Sequence, residues 1–304
     1  MNDTIQTGGD AAIVRVHGTS KALAMSTDCT PRYVEADAFE GAKQAVAETY
    51  RNISAVGARP LAITNCLNFG NPQKPEIMGQ IVRAIQGITE ACKILDYPVV
   101  SGNVSLYNET DGKAIKPTPA IGGVGLLKDF RKRCDAKFKM VGDEIFLVGN
   151  TDGHLNCSLF EEQILKVEGK KNPPKVDLLE EKKHSEFIRE LIESASISAC
   201  HDISDGGLLV ALFEMCCEKL GCDLDFSAIG GAKSEILFGE DQSRYIVALD
   251  RAMVSEFKKK AEKKKIAVFR IGATFREKIR ISDSEIEVKE LIKLNEALFE
   301  RSFS

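Results

Sequence analysis

The segment Val99-Val100-Ser101-Gly102-Asn103-Val104-Ser105 runs an apolar, β-prone stretch into residues of little bulk with short oxygen-bearing side chains. Glycine lets a ligand approach the backbone closely, and Asn and Ser offer donors and acceptors. A loop at such a strand end suits phosphate or magnesium-bound oxygens; a simple turn is the alternative. Ile63-Thr64-Asn65-Cys66-Leu67-Asn68-Phe69-Gly70-Asn71-Pro72 has the same grammar, a strand followed by Asn and Gly, whose amides could meet a nucleoside or merely close Asx turns. Ser26-Thr27-Asp28 puts a carboxylate after the apolar Leu23-Ala24-Met25, in a place suited to a magnesium ligand or to a cap. His201-Asp202-Ile203-Ser204-Asp205-Gly206-Gly207 leads into a helix from about Leu208, which Ser204 or Asp205 is expected to cap and whose first amides could take an anion. His201 beside Asp202 invites a general-base role, but neighbours on a strand point to opposite faces, so no catalytic histidine is assigned. Phe238 to Arg244 is a polar loop suited to a ligand or to a neighbouring domain. There is no P-loop, dinucleotide glycine fingerprint or nucleophile elbow.

These segments need a scaffold. Ala11 to Val16 and Lys21 to Met25 are short β-prone runs. Ala42, Ala45, Val46, Ile53 and Val56 recur at helical spacing over 38–56, and Gly57 supplies a stop. Leu61 to Leu67 reads as a strand, 75–95 as a helix opened by Pro75, Tyr97 to Val100 and Ala120 to Leu127 as further strands. The order β-β-α-β-α-β-β gives an α+β domain on one sheet with helices on one side. Phe130 to Lys139 turns polar and basic, which places a boundary between residues 1–135 and 136–304. The second part opens on the buried-strand pattern Glu144 to Val148. Helices are expected near 177–194, 207–220, 251–264 and 288–299, with strands between them, including Tyr245 to Leu249 and Ala267 to Ile271. The runs Lys258-Lys259-Lys260 and Lys263-Lys264-Lys265 read as a solvated helix face.

With 304 residues, 43% hydrophobic and 28% charged, the chain has room for two globular domains. A net charge of -4 argues against a general grip on nucleic acid. The nine cysteines lack paired zinc-ligand spacing; Cys216, Cys217 and Cys222 are expected as core thiols, a pattern suited to a reducing compartment. MNDTIQTGGD has no basic head before an apolar run, and no stretch approaches membrane-helix length, so a cytoplasmic chain without signal peptide or membrane span is expected.

Taken together, Thr27-Asp28-Cys29, 41–48, Cys66 to Pro72, Lys74 to Ile77, Ser101 to Thr110, His201 to Leu208 and Phe238-Gly239-Glu240 resemble the C-terminal half of the small-type formylglycinamide ribonucleotide amidotransferase family, in the family's order from about Gly9 onward. The resemblance implies an aminoimidazole ribonucleotide synthetase-like α+β fold. Its N-terminal sheet domain pairs across a pseudo-twofold interface, and its C-terminal domain is an α/β sandwich. It implies a ligase reaction in purine biosynthesis: ATP phosphorylates the amide oxygen of formylglycinamide ribonucleotide, and ammonia from a glutaminase subunit displaces phosphate to give the amidine. Residue by residue, it implies that Asn65 and Gly102 contact ATP, Asn103 binds Mg2+, and Ser105 contacts the ribonucleotide. The family normally has Asp where Asn65 stands, which removes a negative charge. The family's catalytic His residues and most of its magnesium carboxylates lie in an N-terminal half, so that half is an expected partner and no catalytic residue is assigned here. Two alternatives remain: a homodimeric ATP enzyme of the aminoimidazole ribonucleotide synthetase type, and a non-catalytic half that holds a nucleotide for packing.

Overall fold

The computed structural model describes residues 9–167 and 172–302; the N-terminal residues used in the signal-peptide reading lie largely outside them. The first unit contains β1 (Ala12–Arg15), β2 (Ala22–Asp28), α1 (Pro31–Ala36), α2 (Ala38–Ala55), β3 (Arg59–Asn68), α3 (Pro75–Leu95), β4 (Val99–Ser105), the small hairpin β5 (Glu109–Thr110) and β6 (Lys113–Ala114), and β7 (Thr118–Leu127). Its five-stranded sheet has the order β1-β2-β7-β3-β4. β3 and β4 are parallel, joined through α3, whereas β1, β2, β7 and β3 pair antiparallel. Strict alternation along β7 follows from covering one face only. α2 lies on that covered face and α3 packs against α2. The other face shows Leu23 and Met25 exposed, in register with half-buried Leu126 and Val124.

The second unit contains β8 (Glu144–Val148), α4 (Leu178–Glu193), β9 (Ala199–Asp202), α5 (Gly207–Met215), β10 (Gly221–Leu224), α6 (Lys233–Phe238), β11 (Tyr245–Leu249), α7 (Val254–Lys264), β12 (Val268–Phe275), β13 (Lys278–Ile281), β14 (Ser284–Glu287) and α8 (Val288–Ser302). Its seven-stranded sheet runs β14-β13-β10-β12-β8-β11-β9, antiparallel except at β10–β13. β8 and β11 are central and buried along their whole length, with one hydrophobic cluster on each side of the sheet. The lysine runs of α7 are solvated while Phe257 and Ala261 face the core. Cys216 and Cys222 are core thiols, Cys217 is half-buried, and all nine cysteines are free.

Several expectations shift. β4 runs on to Ser105, so the Ser-Gly-Asn stretch is an edge strand and not a loop. Its residue types favour turns, but a parallel partner in β3 outweighs that weak preference. The strand expected to end at Leu67 likewise spans Arg59–Asn68. α5 stops at Met215, because Cys217 and Leu220 form a tight bridge that carries the chain into β10. The short elements α1, α6, β10, β13 and β14 have no periodic signal long enough to be seen in the sequence.

α2 joins the two units. A helix buried all round is ordinarily apolar, yet α2 buries Lys43, Gln44, Glu48, Thr49, Arg51, Asn52 and Ser54. It fits because most of these groups are paired within the first unit, Lys43 with Glu40, Gln44 with Glu48 and Asn52 with Asp28. α4 and β9 of the second unit bring partners for Arg51 and Ser54.

Candidate functional site

Two regions hold the residues singled out by sequence. At the β3–β4 edge, Asn65 pairs with Gly102, Cys66 with Asn103 and Asn68 with Ser105. Asn65 lies between buried Ile63 and Leu67 on the helix-covered side, so the pleat sends Asn65 and Gly102 to one face and Asn103 and Ser105 to the other. A Cβ at position 102 would overlap the Asn65 side-chain oxygen, so the neighbouring Asn65 amide itself accounts for the glycine. Ser105 Oγ is 3.2 Å from Asn108 Oδ1, and Asn108 Nδ2 donates to the carbonyls of Phe69 (3.1 Å) and Ser105 (2.9 Å), which pins the turn after β4. Asn103 is exposed, and its Nδ2 makes only a long contact with Cys66 Sγ at 4.0 Å. Its carboxamide oxygen can ligate a hard cation, but magnesium takes about six oxygens. Among the described residues, the one convergence of three metal-ligating side chains is elsewhere, at Asp10, His201 and Asp202.

The second region is the junction of the two units. A cavity of 670 Å³ is lined by Asp10, Asp28, Glu48, Asn52, His201 and Asp202, among others. Asp28 ends β2, as expected, and accepts hydrogen bonds from Asn52 Nδ2 (2.7 Å) and Ser26 Oγ (2.9 Å). Burial raises the pKa of Asp28 despite these bonds. Glu48, bonded to Gln44, is held well above the usual carboxylate range by burial and then by Asp28. Burial raises Asp202 to about 7, against the pull of Arg51. Carboxylates crowded in this way favour a cation, and Asp28, Glu48 and Asn52 offer the oxygens magnesium prefers.

Arg51, fully buried, compensates the back of this cavity: Nη1 is 2.8 Å from Glu181, Nε 3.1 Å from Asp202, and Nη2 donates to Gln242 Oε1 at 3.3 Å. Glu240 is a second hub. Its Oε2 accepts from Arg32 (2.7 Å) and Tyr33, and its Oε1 from the amides of Leu159 and Gly206 (2.8 Å each). The loop around Glu240 thus meets the neighbouring unit. It also corrects the expected helix cap: Gly206 stands at the cap position of α5 and no side chain caps it, while Asp205 pairs with Arg32 at 2.5 Å. His201 pairs with Ile246 and Asp202 with Tyr245, so the two side chains do leave β9 on opposite faces as expected. They approach only around the open edge of that strand, with His201 Nδ1 3.8 Å from Asp202 Oδ1. Burial alone would lower the His201 pKa, but Asp10, Glu214 and Asp202 together hold it well above its ordinary value. Neither Arg51 nor Glu48 was singled out from sequence. A charged residue in a helix reads as solvated unless both flanks of the helix are known to be covered.

The AIR synthase related protein N-terminal domain matches residues 8–127, and the corresponding C-terminal domain matches 140–283. "Phosphoribosylformylglycinamidine synthase subunit PurL" of Zymomonas mobilis is 54% identical over 97% of this chain and 41% of its own length. The same-named protein of Novosphingobium aromaticivorans is 58% identical over 84% of this chain and 36% of its own. The chain therefore spans about two fifths of these curated relatives. In fold it resembles Thermotoga maritima PurL complexed with FGAR, with a TM-score of 0.78 at 20% identity, covering 94% of this chain and 48% of that one. A chain of the HypE–HypF complex is similar over its whole size, with a TM-score of 0.69 at 18% identity and 94% of both chains covered. The chain belongs to the AIR synthase related family and carries both its N-terminal and its C-terminal domain.

Proposed function

We propose that this chain is one half of an ATP-dependent ligase that converts formylglycinamide ribonucleotide and ammonia to formylglycinamidine ribonucleotide in purine biosynthesis. Its β3–β4 edge supplies part of a site completed by an N-terminal half. The supporting observation is the exposed, barely engaged carboxamide of Asn103 on the edge strand β4, next in sequence to Gly102 and one register position from Asn65. In this reading Asn65 and Gly102 contact ATP, Asn103 gives one oxygen to Mg2+, and Ser105 meets the ribonucleotide. Bound magnesium would neutralise charge on the transferring phosphate. The chain's own residues position the nucleotide, and the turn held by Asn108 keeps Ser105 in place. One amide oxygen cannot form a magnesium site alone, which is why the remaining ligands are assigned to ATP phosphates and the other half. The exposed face around Leu23 and Met25 suits burial against that half, or against a second copy when the half is missing. A glutaminase subunit supplies the ammonia, and the nine free thiols suit a cytoplasmic location.

The test mixes this chain with the part of a PurL relative it does not cover, together with ATP, formylglycinamide ribonucleotide and ammonia. Phosphate release should exceed that of either part alone, and Asn103→Ala should abolish most of the excess. Release no greater than the sum of the separate parts would sink the proposal.

A second reading has an observation of its own. The cavity at Asp28, Glu48 and Asn52 suits a magnesium–nucleotide complex held for packing. It predicts that ADP with Mg2+ raises the melting temperature of the isolated chain, and that Glu48→Gln removes the shift.

A further inference from the structure

The wall of the junction cavity opposite Asp28 carries a group of side chains that neither reading uses. Asp10, His201 and Asp202 each offer one ligand atom, and the three atoms lie within 4.8 Å of one another. Asp10 is fixed there: Oδ1 meets His201 Nδ1, and Oδ2 accepts the Asp202 amide at 3.3 Å. Its side chain is 1% exposed. On the far side of the ring, His201 Nε2 is 3.1 Å from Glu214 Oε2. Nε2–H donated to Glu214 fixes the ring so that Nδ1 faces two carboxylate oxygens, and an entering cation would displace the proton that Nδ1 shares with Asp10. A carboxylate that fixes the tautomer of a ligating histidine through its distal nitrogen is a recurrent arrangement at metal centres. Arg51 engages the other oxygen of Asp202, Oδ2, and so leaves Oδ1 available. The adjoining 670 Å³ cavity gives room for water in the remaining coordination positions.

We propose that Asp10, His201 and Asp202 bind a divalent first-row transition-metal ion, with Glu214 holding the imidazole in the ligating tautomer. One nitrogen and two carboxylate donors suit Mn2+, Co2+ or Zn2+, whereas magnesium favours oxygen alone. The N–O–O set comes from two elements, β9 and the segment before β1, so the ion would tie the entry of the first sheet to the edge of the second. The proposal rests on neither reading above.

The experiment uses the full chain alone, stripped with EDTA and titrated with CoCl2, without ATP or any partner. One equivalent of Co2+ is expected to bind with a visible d–d absorption band that Zn2+ displaces. His201→Gln should remove the band, and Glu214→Gln should weaken binding by roughly 10–100-fold. Glu214 is 55% exposed, so its variant should keep the fold, which circular dichroism checks, and it decides the matter if His201→Gln does not fold. No band in the wild type, a band retained in His201→Gln, an affinity unchanged in Glu214→Gln, or ready displacement of Co2+ by an equal concentration of Mg2+ would each overturn the proposal. Because the readout is metal binding by the isolated chain, failure of the ligase reading does not move it.

Discussion

The β3–β4 edge and the junction around Arg51 are built from the same kinds of polar residue but treat them in opposite ways. At the junction the charges are buried, and Arg51 and Glu240 each gather several partners from different elements. At the edge, Gly102 and Asn103 are exposed and the Asn103 amide has no close partner among the described residues. Polar groups that are buried and satisfied hold a fold together; polar groups left open on a rigid strand are available to something else. Mutually satisfied charges and open polar groups are thus separated along the chain.

That separation can be broken in order of size. Arg51→Ala leaves Glu181 and Asp202 buried without their cation and should cost about 3–5 kcal/mol in urea unfolding. A loss below about 1 kcal/mol would mean the junction charges are not what joins the units. Gly102→Ala forces a methyl into the Asn65 amide and should cost about 1–2 kcal/mol. Adding Asn65→Ala should restore most of it, and strict additivity would show that the glycine answers to something other than Asn65. Asp37 caps α2 through the amides of Phe39 and Glu40 and pairs with Arg83. Burial works to raise its pKa, but Arg83 and the two amides outweigh it, and the pKa ends below 3.8. The stabilisation is therefore full above that value and lost as pH falls through the depressed one. Asp37→Ala should cost ~1 kcal/mol at neutral pH and nothing in strong acid, as compared by melting at both pH values. Asn103→Ala should change stability by less than about 0.5 kcal/mol, the smallest effect of the four. A larger thermal shift would place Asn103 among the structural residues.

Sequence reasoning reached the elements with a long period. α3 opens at Pro75 and ends at Leu95 as its apolar spacing requires, and β8 and β11 are the buried runs their residues suggest. It failed where pairing decides. Ser101 to Ser105 have turn-prone residues, and only the ladder to β3 makes them a strand. It also missed groups whose meaning depends on two distant segments. Arg51 is separated from Glu181 and Asp202 by more than a hundred residues, and nothing local marks it as buried. Asn65, Gly102, Asn103 and Ser105 were visible as a group, but their division between two faces required the register. Glu240 was visible only as part of a polar loop, because its four hydrogen-bond donors come from α1, the segment before Phe160, and the start of α5.

α2 is covered by the first sheet on one side and by α4 and β9 on the other. Its apolar residues pack almost wholly in the first core, Ala55 joining the second, while Arg51 reaches into the second unit. Lys43 pairs with Glu40 and Glu90 of the first unit, but Arg51 meets Glu181 and Asp202 only when both units are present. The two units are therefore one cooperative folding block: cutting the chain between the two sheets would strand Arg51 or its carboxylates in an apolar setting, and the backbone amides of α2 exchange with solvent only when the whole block opens. For this chain the smallest piece that can be inherited, expressed or recombined is the pair of sheets with the helix they share.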